Sequence, residues 1–536
     1  MGIFINLIFI VLKMIGLVLK FTGIWLPFAV LVGLIEMEKR SHWSDELQYV
    51  LVLIWIWTSM AFVIYTTANN ITRLVTKNPQ FSIGRALIER LKNNRHKELR
   101  NGFKSDTKPL ENRRIDITGF FFGIHKGKYI TQKEEQDGHI LVVGGAGSGK
   151  SSCIAIPTLN TWKNRVFAID IKGELSRKSK RKAKIFAPGK EYSYGYDPFY
   201  KLNRSTNRVQ ESKEIALSLI PITEDIKDPF WKQSAQNLLI ACILHFSNQG
   251  YGFIDTMIAI QSHPIEELVN LVSESLDQNA RMFNNQFIGM DNKTLVGIFT
   301  ELANNIMVFA TDEDLKEVLN KEILVTPQDL EKGEDIFIQI DESKIEQWKG
   351  LTSLIIAQFL KHFENRTENE TNEPILFLLD EFPRLGKIEG ITNGLATLRS
   401  KKIHIALLIQ SLAQLDVIYG KGNRKIIADN AAYTAILKAT DTETQEYFSK
   451  RVGTHERDKI SHNASFDAYT QLAKGTGVSK STEEKKLIKP EEFAYLKDIV
   501  LLTPTGYMRV EKAPYYEDKT IKRQIQEQVV VESFRA

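Results

Sequence analysis

Apolar and polar positions divide the chain into stretches of different rhythm. Residues 47–72 form a run of 26 without a charge, longer than the roughly 20 residues needed to cross a bilayer. A second apolar stretch, residues 14–35, precedes it and is interrupted by Lys20 and Pro27. A lysine near an interface can extend its ammonium to the headgroups. The short polar segment 36–46 lies between the two. The pattern predicts a transmembrane anchor over residues 1–72, with spans at about 14–35 and 47–68. From residue 139 the rhythm changes. Apolar runs of strand length recur at 139–145 (HILVVGG), 165–170, 335–341, 374–381, 403–411 and 433–440. Most are continuous rather than alternating, as in parallel strands covered on both faces. Helical segments separate them, which predicts an α/β parallel sheet. A closing hairpin is expected over 499–513, turning near Thr505 and Gly506. Between 205 and 320 the strand signals vanish, and segments such as FWKQSAQNLLIACILHFSN carry apolar residues at helical spacing. The expected domains are therefore the anchor, a basic juxtamembrane segment over 73–138, an all-α insertion over 205–320, and one α/β domain made of 139–204 and 321–536.

Charge orients the anchor. Arg73, Lys77, Arg85, Arg90 and Lys92 follow the second span, whereas the connecting loop has only Lys39 and Arg40 among four acids. The positive-inside rule puts the bulk of the chain, and with two spans also the N-terminus, in the cytoplasm. This predicts a two-pass membrane protein with the bulk of the chain on the cytoplasmic side. Four of the seven Trp (Trp25, Trp43, Trp55, Trp57) fall in this region, as interfacial anchors do. A cleaved signal peptide is disfavoured, because no small-residue cleavage site follows and a second span comes too soon. The net charge of +5 does not announce a nucleic-acid binder, and it is uneven. Residues 1–72 balance, while 73–142 carry 15 basic and 8 acidic residues, a collar that suits anionic lipid. Two Cys exclude a disulfide scaffold and a multi-cysteine metal site. An apolar content of 43% excludes disorder as the main state.

The candidate chemistry is a nucleotide site. Gly144, Gly145, Ala146, Gly147, Ser148, Gly149, Lys150 and Ser151 fit G-x-x-x-x-G-K-[ST], with a strand before and a helix-like segment after. Glycines let backbone N–H groups converge on phosphate oxygens. Lys150 supplies a point charge to the β- and γ-phosphates of ATP, and the Ser151 hydroxyl is placed to ligate Mg²⁺. ILFLLDE is an apolar strand ending in Asp380 and Glu381. Asp380 is expected to bind Mg²⁺ through water and Glu381 to polarise the attacking water. Gln410 ends another apolar strand, where it could sense the γ-phosphate. Arg399 precedes that strand and reads equally as an arginine finger toward a neighbouring subunit or a surface cation. The run 177–184, RKSKRKAK, has six basic residues in eight and could follow a nucleic-acid backbone or be a solvated face.

These blocks resemble a family, the TraG/VirD-type coupling proteins of type IV secretion and conjugation. HILVVGGAGSGKSSCIAIPTLNTW is similar to its phosphate-loop block and DIKGEL (170–175) to its second. DPFWKQSAQNLLIACIL (228–244) resembles the start of its all-α domain, LLDEFPRLGKI (378–388) its Walker B signature, and IQSLAQLDVIYG (409–420) its glutamine motif. The resemblance implies a RecA-like P-loop NTPase domain with an inserted all-α domain, a homohexamer with ATP sites between subunits, and Arg399 as a finger acting in trans. It implies an ATPase that delivers DNA with its relaxase, or protein substrates, to a secretion channel. A long acidic C-terminal docking tail is not expected. Two other functions share the same engine: an ATP-switched receptor for effector proteins, and a DNA translocase of the FtsK/HerA type.

Overall fold

A computed structural model describes residues 110–112 and 117–521, apart from Lys180, Asp225, Glu370, 467–472 and Thr520. The expected anchor, with spans at 14–35 and 47–68, lies outside the described residues. So does most of the basic collar.

Three short antiparallel strands come first: β1 (Leu110–Asn112), β2 (Phe120–His125) and β3 (Lys128–Gln132), in the order β1-β3-β2. The main sheet takes β4 (His139–Gly144), β5 (Arg165–Ile171), β6 (Ala183–Phe186), β7 (Asp335–Ile340), β8 (Ile375–Leu379), β9 (Ile403–Ile409) and β10 (Ala431–Lys438). A polar ribbon, β11 (Thr454–Phe466) with β12 (Ala473–Lys486), stands apart from it as a two-stranded sheet. The hairpin β13 (Ile499–Thr503) and β14 (Gly506–Val510) completes the main sheet, whose order is β14-β13-β10-β4-β9-β8-β5-β7-β6. From β10 to β6 all neighbours are parallel; β13 and β14 add antiparallel.

The continuous apolar runs have the expected cause. Every residue of β4, β8 and β9 is buried. Alternate residues point to opposite faces. Leu141, Val143, Phe377, Leu379, Leu407 and Ile409 join one core, whereas Ile140, Val142, Leu376, Leu378, Ala406 and Leu408 join the other. The first core also takes the helices Phe230–Asn248 and Ile345–Glu364; the second takes Ile156–Thr161 and Phe120, Phe122 and Ile130 of the small sheet.

Between β6 and β7 the described chain is helical, from Arg208–Leu219 to Pro327–Glu331. Several of its helix starts are written locally. Asn207, Asp277, Asp291 and Asp312 each accept backbone N–H groups of the first turn, which satisfies donors a helix otherwise leaves unpaired. The helix Asn292–Thr311 is, among the described residues, the one long and apolar enough to cross a membrane. It buries Leu295, Ile298, Leu302, Ile306 and Phe309 at helical spacing, the stripe of an amphipathic helix packed on a protein core.

Three strand features escape the apolar pattern. The ribbon β11–β12 is mostly Ser, Thr, Lys and Glu, so no apolar alternation marks it. The strand β6 begins in the last two residues of the basic run, and the small sheet has three strands of three to six residues.

Candidate active site

All parallel strands direct their carboxyl ends to one edge of the sheet, where ligands of open α/β sheets bind. The phosphate-loop motif leaves β4 at that edge. Gly147 (φ 68°) and Gly149 (φ 100°) adopt left-handed backbone, which residues with a Cβ avoid. A Cβ on Gly144 would stand 2.3 Å from Ser148 Oγ. The chain then enters a wide π-type turn, Lys150–Ala155, that continues as the helix Ile156–Thr161. Ser148 Oγ is buried without a hydrogen-bond partner. A phosphate oxygen would satisfy it, because buried polar atoms are costly when left unpaired.

Lys150 is almost fully buried. Its Nζ donates to Gly144 O at 2.7 Å and stands 3.5 Å from Glu381 Oε1. Asp380 and Glu381 follow the buried β8. Glu381 has φ 47° and ψ 40°, a conformation uncommon outside glycine and typical of functional sites. Gln410 leaves β9 and donates from Nε2 to Glu381 Oε2 at 2.9 Å. The structure thus brings Lys150, Asp380, Glu381 and Gln410 together from three adjacent strands, with Ser151 in the first turn after the loop.

Burial and the neighbouring Glu381 charge push the Asp380 carboxyl up to about 6, against the pull of Lys150 and the Glu381 N–H. A divalent cation would favour its ionised form. No group of three or more metal-ligating side chains occurs among the described residues. Mg²⁺ does not require one, since it is held by one or two protein oxygens together with phosphates and water. Asp380 and the Ser151 hydroxyl fit that donor set. Asp170, at the end of β5, has another task. It is fully buried, and it accepts from Leu175 N, Ser176 N and Ser176 Oγ, which closes the DIKGEL turn.

Arg399 does not join this group. It is exposed, in the turn Arg399–Lys401 before the amino end of β9, and has no ion pair among the described residues. The seven residues of β9 separate it from Gln410, about 20 Å at 3.3 Å per residue. It cannot reach the phosphate loop of its own chain.

Lys512 was not apparent from sequence. Its Nζ donates to Ser148 O in the phosphate loop at 3.2 Å and to Leu437 O of β10 at 3.3 Å. Three residues on, Tyr515 N donates to Ser152 O at 3.0 Å. No local signal marks this contact; it arises from the register β10–β13–β14, which returns the chain to the loop edge. The basic run 177–184 divides. Arg177, Lys178 and Lys182 are exposed, and Lys180 lies outside the described residues. Arg181 forks onto Asp335 at 2.7 and 3.1 Å and donates to three carbonyls, while Lys184 pairs with Asp329 at 2.7 Å. Those two cations hold the fold rather than a ligand.

Comparison with known proteins accords with this arrangement. The family described as type IV secretory system conjugative DNA transfer matches residues 86–535. Protein VirD4 of Rhizobium radiobacter is 27% identical over 423 residues, which cover 75% of this chain and 60% of VirD4. The match spans about three fifths of the length of the curated relatives. Among solved structures, the bacterial conjugative coupling protein TrwBdeltaN70 superposes with a TM-score of 0.59 at 17% identity, covering 77% of this chain and 93% of that one. The plasmid coupling protein TrwB in complex with ADP and Mg²⁺ gives 0.58 at 16% identity, covering 78% and 96%. At such identities the likeness is one of fold.

Proposed function

The chain belongs to the type IV secretory system conjugative DNA transfer family, and from that premise we propose that it is a membrane-anchored ATPase that couples ATP hydrolysis to delivery of DNA, with its relaxase, to a secretion channel. The observation that carries this reading is the contact of Lys150 and Gln410 with the two oxygens of Glu381.

The residues perform the chemistry as follows. The loop 144–151 receives the β- and γ-phosphates on its N–H groups. Phosphate oxygens compete for Lys150 and draw it from Gly144 O and Glu381. Glu381 then accepts a hydrogen bond from a water and aims it at the γ-phosphorus. A water oxygen–phosphorus bond forms as the water gives its proton to Glu381, the bond to the β–γ bridging oxygen breaks, and ADP departs with the electron pair. Gln410, on the other oxygen of Glu381, transmits the state of the γ-phosphate to β9. Asp380 and Ser151 would hold Mg²⁺, which would supply positive charge against the phosphates.

Arg399 serves the nucleotide of a neighbouring copy, which makes the working unit a ring, taken to be a homohexamer. The α/β part, 139–204 and 321–536, acts as the RecA-like motor; the helices of 205–320 form the inserted all-α domain; and residues 1–72 anchor it in the inner membrane with two spans. The test is a conjugation assay beside DNA-stimulated ATPase, with wild-type and Lys150→Ala chains. Transfer of DNA at wild-type frequency by Lys150→Ala would sink the motor reading. Normal transfer of protein cargo with no DNA transfer would favour an effector receptor instead.

A further inference from the structure

A cleft of about 670 Å³ opens at the loop edge of the sheet, between the end of β14 and the turn that precedes β13. This is within the range of roughly 300–1,000 Å³ usual for small-ligand sites. The parallel register pairs Val143 with Ile436, and the antiparallel one pairs Ile436 with Val500 and Ile499 with Val510. The start of β13 and the end of β14 therefore lie level with the phosphate loop. They lie across β10 from it, on the side away from β9 and β8.

We propose that this cleft binds the nucleoside half of the nucleotide, with Lys512 at the joint between phosphate and sugar. The inference rests on the nucleotide reading of the loop 144–151. Asp380, Glu381 and Gln410 all lie on the β9–β8 side of the loop, so the terminal phosphate faces that way. The rest of the molecule must leave on the other side, toward β10 and the hairpin. Lys512 stands at that exit. Its ammonium touches the loop at Ser148 O, and the residue is part of the cleft wall. It has no ion pair among the described residues, and two carbonyls leave one of its three donors uncommitted.

The charges sort the two halves of the ligand. The acids of the cleft, Glu491, Glu492, Asp498 and Glu511, outnumber its cations, and Arg509 is already held by Glu492 at 3.8 Å and Asp498 at 3.3 Å. Such a wall repels phosphate but can accept hydrogen bonds from ribose hydroxyls and base N–H groups. Tyr495 is 83% exposed beside Leu496 and offers a ring on which a base can stack.

The test is equilibrium binding of ADP and of inorganic pyrophosphate, each with Mg²⁺, to the full chain in detergent. Tyr495→Ala should weaken ADP by about tenfold and leave pyrophosphate unchanged, with no shift in the unliganded melting point. Lys512→Met, which keeps the aliphatic stem, should also weaken ADP. An unchanged ratio of ADP to pyrophosphate affinity in Tyr495→Ala, or unchanged ADP binding in Lys512→Met, overturns the inference alone. A wild-type chain that binds neither ligand overturns the nucleotide reading with it.

Discussion

Two buried cations at opposite edges of one sheet are satisfied to different degrees. At the amino edge, Arg181 places its guanidinium on Asp335 and on the carbonyls of Leu159, Trp162 and Asn164. Asp335 in turn accepts the N–H of Val166 at 2.9 Å. Nearby, the Glu134 carboxylate takes the N–H groups of Lys163 and Asn164. Every partner there is fixed protein. At the carboxyl edge, Lys150 has one carbonyl at hydrogen-bond distance and one carboxylate at 3.5 Å, beside the orphaned Ser148 hydroxyl. A buried charge that is saturated by protein is structural, whereas one left short of partners is set up for a ligand. The difference separates the residues that hold the sheet from those that the proposed nucleotide chemistry would use.

The largest expected effect tests the carboxyl edge. Lys150→Ala and Glu381→Gln should each reduce ATP turnover to background while the melting point stays within a few degrees of wild type. Steady-state phosphate release and a thermal melt on the same preparations check this. Turnover within tenfold of wild type in Glu381→Gln would show that the attacking water is oriented by another group. Gln410→Ala should lower the turnover rate more than it raises KM, because its contact is to Glu381.

Arg399 carries the comparison across subunits. Arg399→Ala should lower turnover by about 10³-fold, the lower end for an arginine finger. The decisive measurement mixes two inactive chains. An interface that pairs the intact phosphate loop of the Arg399→Ala chain with the intact Arg399 of the Lys150→Ala chain contains one complete site. Recovery of a fraction of wild-type turnover on mixing is expected. No recovery in a mixture shown to co-assemble would remove Arg399 from the reaction.

At the amino edge the expected effect is on stability. Arg181→Met preserves length and removes the charge, leaving Asp335 buried and unpaired. The loss is about 3–5 kcal/mol, read as a lowered denaturant midpoint. The same change should leave the affinity of the folded chain for ADP within twofold. A midpoint near that of wild type would mean that water replaces the guanidinium.

Legibility in sequence followed the range of the interactions. The strands β4, β5, β7, β8, β9 and β10 were visible because each is buried on both faces, so burial imprints a continuous apolar run. The phosphate loop was visible because its geometry depends on glycines within eight residues, and Asp380, Glu381 and Gln410 because each directly follows such a strand. Contacts set by register were hidden. Nothing near Lys512 indicates that it touches Ser148, 364 positions away. Arg181 read as one of six similar cations, and only the fold distinguishes it from Lys182. Arg399 reads from its position equally as a finger or a surface cation, and the family resemblance chose the finger; what the structure adds is its place at the edge opposite Lys150.

The smallest effect is a difference in the pH response of the two edges. His139 and His404 lie at the amino ends of β4 and β9, both 1% exposed. The His139 ring accepts the N–H of Ile405 at 3.1 Å, and the His404 ring meets Trp162 edge-on with centroids 5.1 Å apart. Burial pulls His139 down to about 3 and His404 to about 4. A histidine held neutral in the fold takes up a proton more readily when unfolded. Its stabilising contribution is therefore complete above the unfolded value near 6.5 and is lost as pH falls toward 4. The loss between pH 7.5 and 5 is roughly 2 kcal/mol for each ring. Asp380 behaves oppositely. Its folded value is raised to about 6, so the folded state binds its proton first and gains stability as pH falls through 6. In denaturant melts at pH 7.5 and 5, His404→Phe should remove most of the net acid loss, because the aromatic packing remains but the titration does not. Adding Asp380→Asn should then restore part of the loss by removing the opposing gain. An acid response identical in His404→Phe and wild type would show that the amino edge does not set it.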